Sequence, residues 1–408
     1  MDLSKLTLEI FSSLEKKWLF DCQNGNAWKK TRILSIDGSG SEGLVAADVL
    51  IHLEDRIRAK TGDPAARIAD FFDLVAGTGI GGIVATMLTA DDGNGRPLYT
   101  ARDAVEFLRE NRSRMFRPAG IFRRRKFSGS SLDGVLQEAL GRGEGRRLTL
   151  KDTCKPLLVP CYDLNSGAPF VFSQADAMES PSFDFELWKV CRATSATPGR
   201  FRPFELASVD GKTCCVAVDG GLVMNNPSAS AVTHVLHNKR DFPAVGGVED
   251  LMVLSLGSGT CGTETLFRSR GKTTRQHCST PAVVEIVLDG VSETVDQMLG
   301  NAFCWNRADY LRIQSNGMRR WRSEEESHGE GEGARVLKEK GMESLPFGGK
   351  RLVTESNGER IERFAERLVA SGKSLPPSPS KKPTTGSTHL NNVSSIVVPT
   401  TTNPTPGR

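Results

Sequence analysis

The feature that most constrains the fold of this chain is a repeated order of a short apolar strand, a glycine turn and a helix. Two such units begin with Ile33–Ile36 and Phe71–Gly77. Four further strand candidates follow, at residues 157–163, 169–173, 214–220 and 251–259. Strands separated by helix-length segments are typical of a mostly parallel sheet with helices on both faces. The sequence therefore predicts an α/β fold of three layers.

The first glycine turn, Asp37–Gly43, lies between a strand and a helix. Unpaired N–H groups at such a helix start suit an anion, which is either a phosphate or the oxyanion of an acyl-transfer intermediate. A tight turn without a ligand is the alternative. A nucleotide site is disfavoured because the GxGxxG register differs and no P-loop lysine follows.

The second and third turns add two more features of acyl-transfer chemistry. Small residues two before and two after Gly79 give the pattern of a nucleophile elbow. Because Gly79 itself has no side chain, this motif alone favours a relaxed turn. The third turn, Asp219–Gly221, places a carboxylate at the end of a strand. Carboxyl ends of strands are where active groups lie in open α/β sheets. A helix N-cap is the simpler role for such an aspartate.

Read together and in order, the three turns resemble the motifs of the patatin-like lipid acyl hydrolases. That family has DGGGxRG, then GxSxG, then DGG or DGA, and the corresponding segments here are Asp37–Gly43, Gly77–Gly81 and Asp219–Gly221. The likeness also includes Ala193–Pro198, Asn225–Pro227 and Leu254–Gly257, and it spans roughly residues 30–315. With glycine at the elbow centre, the chain is most similar to the plant patatin-related group with a GxGxG elbow.

The resemblance implies a Ser–Asp dyad mechanism on a patatin-like fold. By position, Asp219 is the proton acceptor, and the amides of Gly38, Ser39 and Gly40 form the oxyanion hole. The remaining motif positions are Asp37, Gly43, Gly77, Gly81, Gly220 and Gly221. Two positions depart from the family pattern: Gly79 stands where the nucleophilic serine belongs, and Glu42 stands where the arginine belongs.

Loss of a serine nucleophile costs on the order of 10⁶ in rate in a related hydrolase. We therefore expect a weak or non-standard lipid acyl hydrolase acting on phospholipids and galactolipids, with Asp219 activating water directly. A substitute hydroxyl from Thr78 is a second route. The alternative function is a catalytically inactive lipid-binding or regulatory protein on the same scaffold.

A basic and aromatic stretch, Asn111–Gly129, suits an anionic membrane surface. Its densest part is Arg123, Arg124, Arg125 and Lys126. A solvated loop is the alternative, and nucleic acid is disfavoured because no nucleic-acid-binding fold accompanies the patch. We expect membrane glycerolipids as partners and contact at the membrane periphery.

The remaining composition sets limits on class and organisation. A net charge of +4 does not by itself indicate nucleic acid, and nine scattered cysteines without zinc-ligand spacing predict neither a metal nor a disulfide framework. We expect no cofactor and a cytoplasmic location. The predicted organisation is an N-terminal helical segment (1–30), a patatin-like domain (31–316), a C-terminal loop and helix extension (317–372) and a disordered Pro/Ser/Thr-rich tail (373–408).

Overall fold

A central sheet with helices on both faces organises the protein. The structure is a computed structural model, and it describes residues 30–38, 44–118, 127–141, 147–257, 280–315, 332–345 and 349–374. None of the helices within these ranges is both long and apolar enough to cross a bilayer.

The main sheet has eight strands in the order β5-β6-β3-β2-β1-β7-β8, with β4 paired to β3 outside that path. Neighbours from β3 through β2, β1 and β7 to β8 run parallel, whereas β4, β5 and β6 join by antiparallel pairs. The strands are β1 (Thr31–Ile36), β2 (Leu74–Gly77), β3 (Leu157–Asp163), β4 (Ala168–Ser173), β5 (Phe204–Ala207), β6 (Cys214–Asp219), β7 (Leu251–Leu256) and β8 (Tyr310–Ile313). A separate hairpin pairs β9 (Lys340–Leu345) with β10 (Gly349–Ser356).

Twelve α-helices fall within the described ranges. They are α1 (Leu44–Thr61), α2 (Gly79–Thr89), α3 (Ala101–Glu110), α4 (Arg112–Met115), α5 (Gly129–Ala139), α6 (Gln174–Glu179), α7 (Leu187–Thr194), α8 (Gly221–Met224), α9 (Ser228–His237), α10 (Thr280–Ala302), α11 (Glu332–Lys338) and α12 (Asn357–Ala370).

The side chains of the central strands alternate between two apolar clusters, one on each face of the sheet. Leu34 and Val75 pack in the larger cluster with helices α1, α2 and α12, whereas Ile33 and Leu74 pack in the smaller one with α9 and α10. Because successive residues of a strand point to opposite faces, a strand buried on both faces is apolar throughout. The predicted three-layer α/β architecture with a mostly parallel sheet is therefore confirmed.

The structure also differs locally from the sequence interpretation. The second strand begins at Leu74, whereas the sequence predicted that it begins at Phe71. Phe71 and Phe72 precede the strand and are buried in the larger cluster. Strands β5 and β8 and the β9–β10 hairpin were not predicted, and the hairpin falls where only a loop and a helix were expected. The helix expected near residues 360–370 is present as α12. The segments 1–29 and 375–408 lie outside the described residues.

Candidate active site

Asp37, which directly follows β1, forms a buried ion pair with Arg312. Both carboxylate oxygens of Asp37 accept hydrogen bonds from the Arg312 guanidinium, and the Ser292 hydroxyl donates to Oδ2 at 2.6 Å. Asp37 and Arg312 are only 2% and 5% exposed. Burial by itself would lower the pKa of Arg312, but the facing Asp37 carboxylate raises it above its usual value. Asp37 thus ties the end of β1 to β8 and α10.

The second turn has the backbone of an elbow at Gly79. Gly79 begins α2 with a φ of +54°, in the left-handed region that favours glycine. A Cβ added to Gly79 would lie 2.7 Å from the Gly38 carbonyl oxygen. Two residues on, a Cβ at Gly81 would lie 2.4 Å from the Asp37 carbonyl oxygen, so the start of α2 approaches the end of β1 backbone to backbone. Glycine at both positions permits this close approach.

Gly38 turns its carbonyl, and not its amide, toward Gly79. The Gly38 N–H donates to the Asn225 carbonyl at 3.1 Å. The amide that was expected to help form the oxyanion hole is therefore already engaged. Ser39, Gly40 and Gly43, together with Glu42, lie outside the described residues, so the oxyanion role of Ser39 and Gly40 stays a prediction.

Asp219 ends β6 and is 4% exposed. Its Oδ2 accepts a hydrogen bond from the Thr197 hydroxyl at 2.6 Å, and its Oδ1 accepts one from the Gly221 amide at 2.8 Å. Each carboxylate oxygen has two lone pairs and can accept more than one donor. Asp219 is therefore oriented by its own loop and by the segment before β5.

The register of β3 explains why Asp219 comes close to the elbow. Strand β4 occupies one edge of β3, and β2 and β6 share the other edge, with Ala76 opposite Leu158 and Asp219 opposite Cys161. Strands β2 and β6 run in opposite directions, so their carboxyl ends face each other along that edge. The proximity therefore comes from an antiparallel strand, and not from the carboxyl ends of parallel strands.

The three turns meet around one small cavity of about 30 Å³. Gly38, Gly79 and Asp219 line it, and the rest of its wall is mostly apolar. The other lining residues are Ile80, Ile83, Met115, Phe116, Leu132, Ser195, Thr197, Arg200 and Phe201. The structure thus brings together the turns that the sequence singled out, with an aspartate facing a glycine elbow.

Comparison with known proteins identifies the scaffold. The family model described as patatin-like phospholipase matches residues 34–232. "Probable inactive patatin-like protein 9" of Arabidopsis thaliana is 64% identical over 388 residues, which cover 94% of this chain and 97% of that protein. The chain belongs to the patatin-like family.

Other plant patatin-like proteins match at lower identity. Patatin-like protein 7 of Arabidopsis thaliana is 44% identical, covering 90% of this chain and 81% of that protein. Patatin-like protein 3 of Oryza sativa subsp. japonica is 40% identical, covering 90% of each. Among solved structures, VipD from Legionella pneumophila aligns with a TM-score of 0.39 and 12% identity, covering 84% of this chain and 67% of that chain.

Two threonines support the patatin-like site, and the sequence motifs gave them no role. The Thr194 hydroxyl donates to the Pro160 carbonyl at 2.6 Å and accepts the Gly79 amide at 3.0 Å. Thr197 holds Asp219. Both lie in the segment Ala193–Pro198, whose likeness to the family was the available signal. By contrast, the Thr78 hydroxyl donates to the Met224 carbonyl at 2.7 Å, and Thr78 is fully buried.

The other sequence predictions fall elsewhere. Gly77 ends β2, Gly220 follows β6 and Gly221 begins α8. Arg123, Arg124, Arg125 and Lys126 lie outside the described residues. Where the structure describes the chain, no group of three His, Cys, Asp or Glu side chains is placed to hold a metal ion.

Proposed function

We propose that this patatin-like protein binds the ester region of membrane glycerolipids without turning them over through an acyl-enzyme. The observation that carries the proposal is the elbow, where Gly79 supplies no nucleophile and its neighbour Gly38 presents a carbonyl oxygen. A carbonyl oxygen repels a developing oxyanion, which N–H donors would stabilise. The apolar side chains in the cavity wall suit the acyl chain next to such an ester.

The comparisons support this proposal, and the size of the cavity sets a condition on it. A cavity of about 30 Å³ is far below the ~300–1,000 Å³ of ordinary ligand sites, so an acyl chain must open it further. The relative at 64% identity carries a name that describes that protein as inactive. A regulatory or lipid-sensing role in lipid metabolism is consistent with both observations.

Slow hydrolysis by activated water is the second candidate, because the same small cavity favours it. A water molecule needs roughly 10–15 Å³ of such space, so one fits beside Asp219 where a serine hydroxyl would otherwise lie. Asp219 would then act as the general base for a single-step attack on the ester carbonyl.

An Asp219→Asn variant separates the two candidates. If the protein only binds lipid, wild type and Asp219→Asn release labelled fatty acid from phosphatidylcholine and galactolipid at the same background rate. If water is activated, the variant loses about 10²-fold or more of the rate, the range of general-base catalysis. The side-chain carbonyl of the introduced asparagine can still accept the Gly221 amide, so the loop is expected to stay folded. Asp241→Asn, at the exposed Asn238 contact, is the matched control.

Binding is measured separately, with a short-chain phosphatidylcholine below its micelle concentration. Ile80→Glu places a charge on the cavity wall and is expected to weaken that binding at least about tenfold, since charged groups are costly in an apolar pocket. Equal binding by wild type and Ile80→Glu contradicts recognition at this site. Labelling of the wild-type protein by a fluorophosphonate ester would reveal an active serine and contradict both candidates.

A second part of the proposal concerns membrane contact through the basic stretch Asn111–Gly129. We propose that a patatin-like domain (31–316), preceded by residues 1–30 and followed by the 317–372 extension and the 373–408 tail, is cytoplasmic and contacts membranes through Arg123–Lys126. In flotation with anionic vesicles, changing these four residues to Gln is expected to weaken binding at least tenfold, because each cation contributes about 1 kcal/mol near the surface.

A variant with the same loss of charge provides the control for flotation. It changes four exposed arginines elsewhere, namely Arg56, Arg102, Arg240 and Arg351. Equal flotation by both variants means that total charge, and not the basic stretch, governs attachment.

A further inference from the structure

A second and much larger cavity lies at the edge of the sheet beyond β8. Its volume is about 420 Å³, within the ~300–1,000 Å³ of ordinary ligand sites. Residues of α10, β8, the β9–β10 hairpin and α12 line it, and none of them also lines the cavity at Gly79. The hairpin and α12 lie beyond residues 34–232, the part that the family model matches.

The wall of this edge cavity is mostly apolar. Its large side chains are Phe303, Tyr310, Met342, Val353 and Phe364. The Tyr310 hydroxyl donates to Asp296, which also lines the cavity, at 2.8 Å. An apolar wall of this extent suits an alkyl chain, because each buried methylene contributes about 0.8 kcal/mol.

One cation in the edge cavity is buried without a carboxylate partner. Arg360 is 8% exposed, and its single hydrogen bond within the described residues runs from Nη1 to the Arg312 carbonyl at 3.1 Å. No acidic side chain of the described chain lies within ion-pair distance of it. Burial lowers the pKa of Arg360, and the more distant carboxylates of Glu343, Asp296 and Glu355 offset this only in part. Burying such a charge is costly unless an anion accompanies it.

Three of the other arginines are paired with carboxylates and Arg307 is exposed to solvent, which leaves Arg360 as the buried cation without a carboxylate partner. Arg363 pairs with Glu355, and Arg367 pairs with Asp309. The guanidinium of Arg312 is held by Asp37 on the other side of β8.

We propose that the edge cavity binds a single-chain lipid that ends in a carboxylate, with the carboxylate on the Arg360 guanidinium and the alkyl chain along the aromatic and aliphatic wall. A planar carboxylate accepts two parallel N–H bonds from one guanidinium, which matches the Nε and Nη2 groups of Arg360. This site is independent of the function proposed above and requires no chemistry at Gly79.

Calorimetric titration of the full chain with dodecanoate, below its micelle concentration, tests the proposal. Dodecanoate is expected to saturate one site. Arg360→Gln is expected to bind it about 10–100-fold more weakly, the range for loss of a charge-assisted hydrogen bond. Val353→Trp, which fills the cavity, is expected to abolish binding. Arg351→Gln, an exposed arginine on the same hairpin, and Asp219→Asn are expected to leave it unchanged.

Binding of other ligands and a stability measurement test the alternatives to this proposal. Dodecyltrimethylammonium is expected to bind at least tenfold more weakly than dodecanoate, and acetate and inorganic phosphate not measurably. Equal binding of the cationic probe, or of acetate alone, overturns the carboxylate-lipid assignment. Without ligand, Arg360→Gln is expected to unfold at the same urea concentration as wild type or higher. A lower midpoint together with unchanged dodecanoate binding would make Arg360 purely structural and overturn the proposal.

Discussion

Replacing Asp37 by asparagine is expected to lower the free energy of unfolding by about 3–5 kcal/mol, since it leaves the buried Arg312 guanidinium without a counter-charge. The side-chain volume hardly changes, so the loss reports charge and not packing. Urea denaturation gives the measurement, as a shift of the midpoint at constant slope. For comparison, Glu343→Gln breaks the exposed pair with Arg351 and is expected to cost no more than about 1 kcal/mol.

A double replacement extends this prediction. Asp37→Leu with Arg312→Met removes both charges, and it is expected to recover much of the loss caused by either single change, because an apolar pair avoids the desolvation of two ions. The Ser255 and Ser292 hydroxyls, which contact the Arg312 guanidinium, limit the recovery. Additive losses in the double variant would show that Asp37 and Arg312 act independently and that Asp37 has another role.

Local sequence patterns predicted part of the structure, whereas contacts between residues far apart in the chain were not predictable. The strand–turn–helix units at Ile36–Gly43 and Gly77–Gly82 are local patterns, so the sheet, the elbow and the position of Asp219 at a strand end follow from them. Arg312 lies 275 positions from Asp37, and no spacing rule connects the two. The buried ion pair that fixes the first turn was therefore not predictable.

The direction in which a peptide group points was also not predictable from the sequence. The glycines near residue 38 indicated a backbone able to approach a ligand, but they do not determine whether the amide or the carbonyl faces it. In the structure the Gly38 amide donates to Asn225, which lies in a segment that the sequence linked to the family without assigning it a bond. The antiparallel direction of β6 was likewise not encoded in the Asp-Gly-Gly turn. The edge cavity depends on a hairpin whose strands contain several charged residues and lack a clear alternating pattern.

Introducing a hydroxyl by Gly79→Ser is expected to destabilise the protein by about 2–5 kcal/mol without producing an active serine. The new Cβ would meet the Gly38 carbonyl oxygen at 2.7 Å, and crowding of this kind costs about 1–3 kcal/mol. The left-handed backbone at φ +54° adds about 1–2 kcal/mol for a residue with a side chain. Urea midpoints measure the stability, and fluorophosphonate labelling measures the reactivity.

Gly79→Ala provides the control, because it introduces the same Cβ without the hydroxyl. Both variants are expected to lose the same stability and to remain unlabelled. Gly79→Ala has no hydroxyl to react, and in Gly79→Ser the Gly38 carbonyl would still lie beside the hydroxyl and disfavour a nearby oxyanion. If Gly79→Ser instead reacts rapidly with the fluorophosphonate while Gly79→Ala does not, the Gly38 carbonyl must turn away at little cost. Such a result would mean that Asp219 and the turn after Asp37 still form a competent site, and that the patatin-like scaffold lacks only its nucleophile. The binding-only proposal would then rest on the absent side chain of Gly79 alone, and not on the orientation of Gly38.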